Sequence, residues 1–353
     1  MDTEVQRLSE AIRDAAARKR PLRIRGGGTK DFYGGSPLGS PLDITGYRGI
    51  VAYEPTELVI TARAGTPLAE VEAALREKGQ MLAFEPPHFG PGATLGGCIA
   101  TGLSGPRRAY AGSARDFVLG ARILDGKGDD LKFGGQVMKN VAGYDVSRLV
   151  TGSLGTLGVL LEVSLKVLPV PPFETTLHLR RSEAEAIAQM NEWAGKPLPV
   201  SATAFRDGDL GVRLSGARVA VEAAARKIGG VAVDPAQAAR FWTGIREHAD
   251  PFFAGSGPLW RLSINSTTPP LGLPGRQLIE WSGGLRWLQS DADARTIRDA
   301  AARAGGHATL FRGNDRSAGV FHPLAPALMQ LHRNLKQAFD PAGILNPGRM
   351  YDF

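Results

Sequence analysis

A chain of 353 residues with 43% hydrophobic and 22% charged side chains has the composition of a globular protein and is long enough for two cores. Its single cysteine, Cys98, excludes a disulfide framework and any cysteine-built metal or iron–sulfur centre within the chain, and fits a reducing compartment. The net charge of +7 comes from 42 Lys and Arg scattered among 35 acidic residues without long runs, which marks a solvated basic surface and argues against a nucleic-acid footprint.

Val5, Leu8, Ile12, Ala15 and Ala16 fall at helical spacing, and Pro21 closes this amphipathic segment. It has neither the apolar core of a secretory signal nor the acid-poor composition of a transit peptide. No apolar run anywhere reaches the ~20 residues of a bilayer span, so a cytoplasmic location is expected. A strand over 22–25 then empties into the triplet Gly26, Gly27, Gly28, followed by Thr29 and Lys30. Such a loop is either a plain turn or a phosphate site, and it matches neither a P-loop nor a GxGxxG fingerprint, because Asp31 takes the last glycine position. Strands are expected over 42–44, 50–53 and 58–62. Thr66 is placed to cap a helix that starts at Pro67 and buries Leu68, Val71, Ala74 and Leu75 before Gly79 ends it.

The next stretch is the most informative. Gly90, Gly92, Gly96, Gly97, Gly102 and Gly105 lie within sixteen positions, among small side chains. Glycine is costly in regular structure, so this density predicts a loop whose backbone approaches a ligand or takes positive φ, and free amides there would cradle an anion. A hairpin turning at 125–128 follows, then a short helix, a third glycine cluster at Gly152, Gly155 and Gly158, and a strand to Leu168. The prolines of 169–173 hold the chain extended as a linker.

Beyond the linker the glycine motifs cease. Strands over 175–179, 200–205, 210–214, 259–265, 278–281, 285–289 and 307–311 alternate with helices over 183–193, 219–228 and 292–303. This is an α+β pattern, expected as an antiparallel sheet with helices on one face. A helix over 324–339 and a tail rich in proline and glycine complete the chain.

Five spaced motifs resemble the vanillyl-alcohol-oxidase, or PCMH-type, family of FAD-binding domains: RIRGGGTK (23–30), PGATLGGCIATGLSG (91–105), SARDFVLGARILDGKG (113–128), GYDVSRLVTGSLGTLGV (143–159) and FDPAGILNPGRM (339–350). Within that family, the short length and the MKNVAGYD (138–145) and GGHATLFRG (305–313) segments are similar to the FAD-binding E subunits of glycolate oxidases. The resemblance implies an α+β architecture: a two-subdomain PCMH-type FAD-binding domain over 1–170, a smaller α+β cap domain with an antiparallel sheet over 171–320, and a C-terminal segment, 321–353, returning to the first domain.

It also implies a cofactor site. Arg25, Gly26, Gly27, Gly28, Thr29 and Lys30 would form one wall, and Gly92, Ala93, Thr94, Gly96, Gly97, Cys98, Ala100, Thr101, Gly102, Ser104 and Gly105 the other. Residues 26–29 and 96–101 would wrap the FAD pyrophosphate from two sides with backbone amides as donors. Gly112, Ala114, Arg115 and Asp116 carry the next motif, and Gly155, Gly158 and Val159 would line the adenine end. Asn346 and Arg349 would sit near the flavin, where a cation stabilises negative charge on the reduced ring. Covalent-flavin members have histidine directly after the loop glycines; Thr29 stands there, so FAD is expected to be non-covalent.

Oxidation of a 2-hydroxy acid needs a base for the hydroxyl proton and a cation for the carboxylate. His307, Arg312, Asn314, Arg316 and His322 are candidates, with His307 and Arg312 chosen as catalytic; the competing reading makes the charged residues ordinary surface groups near a turn. Larger relatives carry a metal-binding histidine pair of which only Gly306-His307 is kept, so no metal is expected. The resemblance implies a larger FAD-containing sister subunit, an iron–sulfur subunit, a small 2-hydroxy acid substrate, and peripheral association with the inner membrane only through partners. Three roles remain open: oxidising glycolate itself, carrying electrons beside a catalytic sister, or acting on another alcohol or a sugar.

Overall fold

The computed structural model describes residues 3–36, 38–135 and 144–352, and the chain divides into two compact units. The first comprises 1–103, 113–169 and 323–353; the second comprises 104–112 and 170–322. Most of the MKNVAGYD segment, residues 138–143, lies outside the described residues.

In the first unit, helix α1 (Thr3–Ala17) buries Val5, Leu8, Ile12 and Ala15 along one stripe. Strands β1 (Leu22–Arg25) and β2 (Ser40–Asp43) pair in parallel. Strands β3 (Ile50–Glu54) and β4 (Val59–Arg63) form a hairpin. Helix α2 (Leu68–Glu77) follows, then the two-residue strand β5 (Gln80–Met81) and helix α3 (Leu95–Thr101). After α4 (Arg108–Ala111), which belongs to the second unit, come α5 (Ala114–Phe117), β6 (Val118–Leu124), β7 (Asp130–Gly134), α6 (Tyr144–Leu149), β8 (Val159–Lys166) and β9 (Leu168–Pro169). An antiparallel sheet has the order β3-β4-β8-β6-β7. Its central strands β4, β6 and β8 are buried almost without interruption. The β6–β7 turn is closed by Gly128 at φ +75°, while the Asp125 carboxylate accepts from the N–H groups of Lys127 and Asp129.

Two expectations are corrected here. Thr66 does not cap α2: its hydroxyl is spent on Gly49, accepting from the N–H and donating to the carbonyl, and the helix starts after Pro67. The glycine-rich stretch is not an open loop throughout. Residues 95–101 are helical, capped by the Thr94 hydroxyl and ended by Gly102 at φ +61°. Gly96 is required because a Cβ there would lie 2.8 Å from the Ala64 Cβ and 2.9 Å from its carbonyl oxygen, so the glycine lets α3 press against the chain leaving β4.

The second unit carries an eight-stranded antiparallel sheet. Its elements are β10 (Phe173–Arg180), α7 (Glu183–Ala194), β11 (Val200–Arg206), β12 (Asp209–Gly216), α8 (Arg218–Ile228), β13 (Val231–Ala232), α9 (Pro235–Glu247), β14 (Leu259–Ser263), β15 (Arg276–Glu280), β16 (Leu285–Gln289), α10 (Ala294–Arg303) and β17 (His307–Arg312). Strand order is β13-β10-β12-β11-β15-β16-β14-β17. Leu177 and Leu179 face α7 and α8, whereas Trp260, Leu288 and Leu310 face α10.

Helix α9 is absent from the sequence reading and sits on the opposite face. Its Trp242 indole donates to the Thr176 hydroxyl and its Phe241 ring meets His178, both on the β10 face turned away from Leu177. The expectation of helices on one face is therefore corrected. The same face carries His248 stacked on Phe253 with ring centroids 3.9 Å apart.

The chain returns to the first unit through α11 (Pro326–Phe339) and the tail. Lys336 is buried and donates to Asp340, to the Thr156 carbonyl and to the Leu345 carbonyl. Asp340 in turn accepts from the N–H groups of Ile344 and Leu345. Burial pulls the Lys336 ammonium below its ordinary range, against the upward pull of Asp340.

Breaking a buried pair leaves one charge uncompensated and costs about 3–5 kcal/mol, so Lys336→Met lowers the urea midpoint sharply at neutral pH. Burial, then Arg312 and Arg261, hold His248 well below the ordinary imidazole value. The unfolded chain therefore takes up a proton below about pH 6.5 that the folded chain refuses, and stability falls as pH drops through that value, by about 1.4 kcal/mol per pH unit for one such group. His248→Gln flattens this slope in urea titrations between pH 7.5 and 5.5, the range of about two units that spans the ordinary imidazole value.

Candidate functional site

The first unit contains a cleft of about 770 Å³, counting space open to solvent. One wall is the β1 end and the loop after it: Arg23, Ile24, Arg25, Gly26, Gly27, Gly28, Thr29, Lys30 and Asp31. The other is Thr94 with the α3 residues Gly96, Gly97, Ala100 and Thr101, and Ile44, Leu154, Gly155, Gly158, Leu160, Asn346 and Arg349 complete it. Fifteen of the sequence-selected residues thus come together: Arg25 to Lys30, Thr94, Gly96, Gly97, Ala100, Thr101, Gly155, Gly158, Asn346 and Arg349.

The loop 26–29 has the chemistry of an anion nest. Among the described residues, the backbone N–H groups of Gly26, Gly27, Gly28 and Thr29 have no hydrogen-bond partner in the chain, and all four residues line the cleft. Arg23 Nε is buried beside them without a partner. Consecutive unpaired donors and an orphaned guanidinium nitrogen fit a diphosphate, which needs many short charge-assisted contacts. Gly27 is fixed by the protein's own packing, because a Cβ there would lie 1.5 Å from the Gly92 carbonyl oxygen. Gly28 takes φ +73°.

The second wall differs from its expected role. The Gly96 N–H donates to the Ala64 carbonyl and the Gly97 N–H to the Thr94 hydroxyl, while the Cys98 N–H bonds the Thr94 carbonyl inside the helix. Residues 96–98 therefore offer a smooth surface and no free amides. Asn346 and Arg349 are also engaged by the protein. Asn346 accepts from the Ile24 N–H and donates to the Leu154 carbonyl, tying β1 to the third glycine loop. The Arg349 guanidinium donates to the carbonyls of Lys30, Asp31 and Gly35, which fixes the loop behind residues 26–29. Lys30 is buried and donates to the His88 carbonyl.

Other selected residues lie outside the cleft lining. Gly92 and Ala93 buttress it through Gly27 and Leu68. Cys98 faces the core, where burial pushes its thiol up to about 12, so it stays protonated. Gly102 caps α3, Ala114 is core, Arg115 is exposed, and Asp116 caps α5 and pairs with Arg148. Val159 starts the buried β8. Ser104, Gly105 and Gly112 belong to the second unit. Arg23, Ile24, Asp31, Ile44, Leu154 and Leu160 were not selected from sequence. Arg23 alternates with Leu22 and Ile24 as any strand residue does, and only its position at the cleft marks it.

In the second unit, His307 and Arg312 open and close β17. Five residues apart they would face opposite ways, but a register shift sets Leu259 against Arg312 and Trp260 against Leu310. That bulge returns Arg312 to the face that carries His307. Between them, across the ladder, Arg261 opposes Thr309. Burial, then Arg261, then His322 lower the His307 imidazole below its ordinary value, so it is neutral at neutral pH. Arg261 is the cation nearest in influence to His307, and sequence reasoning missed it because it stands in a strand forty-six positions upstream of His307. Among the described residues, no group of three or more His, Cys, Asp or Glu side chains gathers as for a metal.

The FAD binding domain family matches residues 3–134, and the C-terminal domain of the FAD linked oxidases matches residues 313–350. The fold is therefore that of the FAD-linked oxidase class. The chain is 51% identical to the glycolate oxidase subunit GlcE of Escherichia coli (strain K12), over 98% of its own length and 97% of that protein's. It is 30% identical to the glycolate oxidase subunit GlcD of Bacillus subtilis (strain 168), over 52% of this chain and 39% of that one. A solved structure of alkyldihydroxyacetonephosphate synthase shares the fold, with a TM-score of 0.66 at 15% identity, covering 96% of this chain and 74% of that one. The chain belongs to the GlcE family of FAD-binding glycolate oxidase subunits.

Gly27→Ala forces the loops at 26–29 and 90–92 apart, and the purified protein should carry well under half the FAD of the native chain. Arg23→Gln removes one charge-assisted contact, worth about 1.5–3 kcal/mol, and should weaken FAD binding roughly 10- to 100-fold in a fluorescence titration with the thermal midpoint unchanged.

Proposed function

We propose that this chain holds FAD non-covalently and serves as the FAD-binding subunit of an oxidase that converts glycolate to glyoxylate. The observation that carries the reading is the run of unpartnered amides at 26–29 beside Arg23 Nε in a cleft of cofactor size. Residues 26–29 and Arg23 would hold the diphosphate. Gly96, Gly97, Ala100 and Thr101, without bulk or spare donors, would let the cofactor lie close to α3.

FAD, when bound, supplies a two-electron acceptor. The protein's own task is to bind the acid and move a proton. His307, neutral because of burial and Arg261, is the base for the C2 hydroxyl proton as the C2–H leaves with its electron pair. Arg261 and Arg312, on the same sheet face, are the cations for the carboxylate. Electrons leave to an iron–sulfur subunit of the same complex, beside a larger flavoprotein sister. A second reading, in which the chain carries electrons without turning over acid, is favoured because the His307 ring, although desolvated enough to lower its pKa, keeps one side open to solvent at the start of β17, and because no group of three or more His, Cys, Asp or Glu side chains gathers among the described residues.

Denaturation should release all FAD and leave a chain of unmodified mass. The purified holoprotein, given glycolate without oxygen, should bleach its flavin absorbance. His307→Ala should slow that bleaching at least 100-fold with FAD content unchanged. The native rate should decline only below about pH 6.5, since the depressed pKa keeps the base form at neutral pH. Bleaching that is absent in the native chain alone, yet present in the complex and indifferent to His307→Ala, selects the electron-carrier reading.

A further inference from the structure

Strand β15 leaves the sheet through a turn that glycine adopts freely and tryptophan seldom does. Trp281, Ser282 and Gly283 stand in succession at φ +54°, +55° and +99°, and all three are buried. Side chains held left-handed at consecutive positions are strained, and they persist where the surroundings over-determine them. The Ser282 N–H donates to the Thr203 hydroxyl, Asn191 donates to the Ser282 carbonyl, and the Ser282 and Tyr110 hydroxyls share a hydrogen bond of 2.7 Å. Gly283 is required, because a Cβ there would lie 2.3 Å from the Ser266 carbonyl oxygen.

What this turn holds in place is the Trp281 ring. Its indole N–H donates to the Gly105 carbonyl at 3.0 Å, and two cations lie over the ring: the Arg108 guanidinium at 4.2 Å from the centroid and that of Arg261 at 5.2 Å. Both are within the range of about 6 Å at which an aromatic face attracts a cation. The two arginines come from α4 and β14, far apart in sequence, and with Trp281 they belong to the second unit. Stacking engages the flat face of a guanidinium and not its N–H edge, which is the edge that grips a carboxylate with two parallel hydrogen bonds. Arg261 opposes Thr309, two positions along β17 from His307 and on the same face. After burial, it is Arg261 that lowers the His307 imidazole most. The neighbouring carboxylate, Glu280, is buried and accepts from the Trp287 indole.

We propose that Trp281 is a positioning residue that sets Arg261 against the carboxylate of the acid, and that Arg108, held on the same ring, is a second ligand of that carboxylate. This rests on the reading of the His307 face as the site of a small 2-hydroxy acid. The strained turn fixes the ring, and the ring fixes two long side chains that otherwise sample many rotamers. Their ordering is then completed in folding, so that binding the acid need not supply it.

The test uses the full-length FAD-loaded chain. Oxalate, which has the carboxylate but no C2–H to lose, is titrated by calorimetry, and flavin bleaching by glycolate without oxygen is followed in the same samples. Arg108→Met keeps the stem and removes the charge-assisted contact, so oxalate binding should weaken roughly 10- to 100-fold, with FAD content native and the loss in glycolate turnover falling on KM more than on kcat. Trp281→Leu should weaken oxalate in the same way, and Trp281→Phe, which keeps a ring face under the arginines, should recover most of the affinity. Native oxalate affinity in Arg108→Met overturns the proposal, as does an unaltered holoprotein that binds neither acid. So does a Trp281→Phe variant that folds with native FAD content yet binds oxalate weakly, since the indole would then matter for packing and not for carrying the guanidinium groups. The two readings part cleanly. Bleaching by glycolate with native oxalate affinity in every variant keeps the functional reading and defeats this one; oxalate binding that depends on Arg108 and Trp281, with no bleaching by glycolate, supports the carboxylate clamp and defeats turnover by this chain.

Discussion

The first unit depends on a clasp formed by its C-terminal tail. Lys336 and Asp340, buried together, fix the bend that turns the chain from α11 into the tail. From there the Leu22 N–H donates to the Ile344 carbonyl, and the Asn346 N–H returns a bond to Leu22, so the tail lies along β1 as an extra strand segment. Asn346 and Arg349 then reach β1, the third glycine loop and the loop behind residues 26–29. Three segments far apart in sequence, residues 22–35, 154–156 and 336–349, are held by side chains whose polar atoms are almost all satisfied within the protein. Such a network is worth having only when complete, since each unmatched buried group costs free energy that its partners no longer offset.

This clasp explains how a glycine loop can be held in one conformation with its amides unpaired by the chain. Glycines at 26–28 lose more conformational freedom on ordering than any other residues would. They are nevertheless held with their amides unpaired, because Gly27 is pinned against Gly92 and the Arg349 guanidinium grips the carbonyls that follow. Packing within the chain therefore fixes the backbone at 26–28 through contacts of its own, which limits the ordering cost of any ligand that uses these amides. The opposite wall follows another logic: α3 has its first-turn amides satisfied, and its glycines serve close packing against Ala64 and a flat contact surface.

Local pattern made much of the fold legible. Apolar patterning located the strands of both sheets to within a few residues, except the two-residue edge strand β13, and the apolar stripe located α1, α7, α8 and α10. Where the reading failed, the cause was long-range. Gly96 and Gly97 weigh against a helix by propensity, yet α3 forms because Thr94 caps it and Ala64 demands the missing Cβ. Helix α9 has a readable start in Asp234-Pro235, with the Asp234 carboxylate accepting from Ala236 and Gln237, but it buries only Trp242 and Ile245 and so shows little stripe. At the cleft of the first unit, fifteen of the residues selected from spaced motifs line the walls, and the others selected lie outside the lining. Arg23 and the true duties of Asn346 and Arg349 could not be seen, because an arginine some 319 positions from its acceptor carries no local signal.

The central claim is that the four amides at 26–29, and not those of α3, receive the cofactor's diphosphate. Backbone hydrogen exchange of the purified chain, followed by mass spectrometry with and without FAD, tests it directly. The account predicts that exchange at 26–29 slows markedly on adding FAD while 96–98, already bonded internally, change little. Unchanged exchange at 26–29, with new protection appearing instead at 96–98, would contradict it.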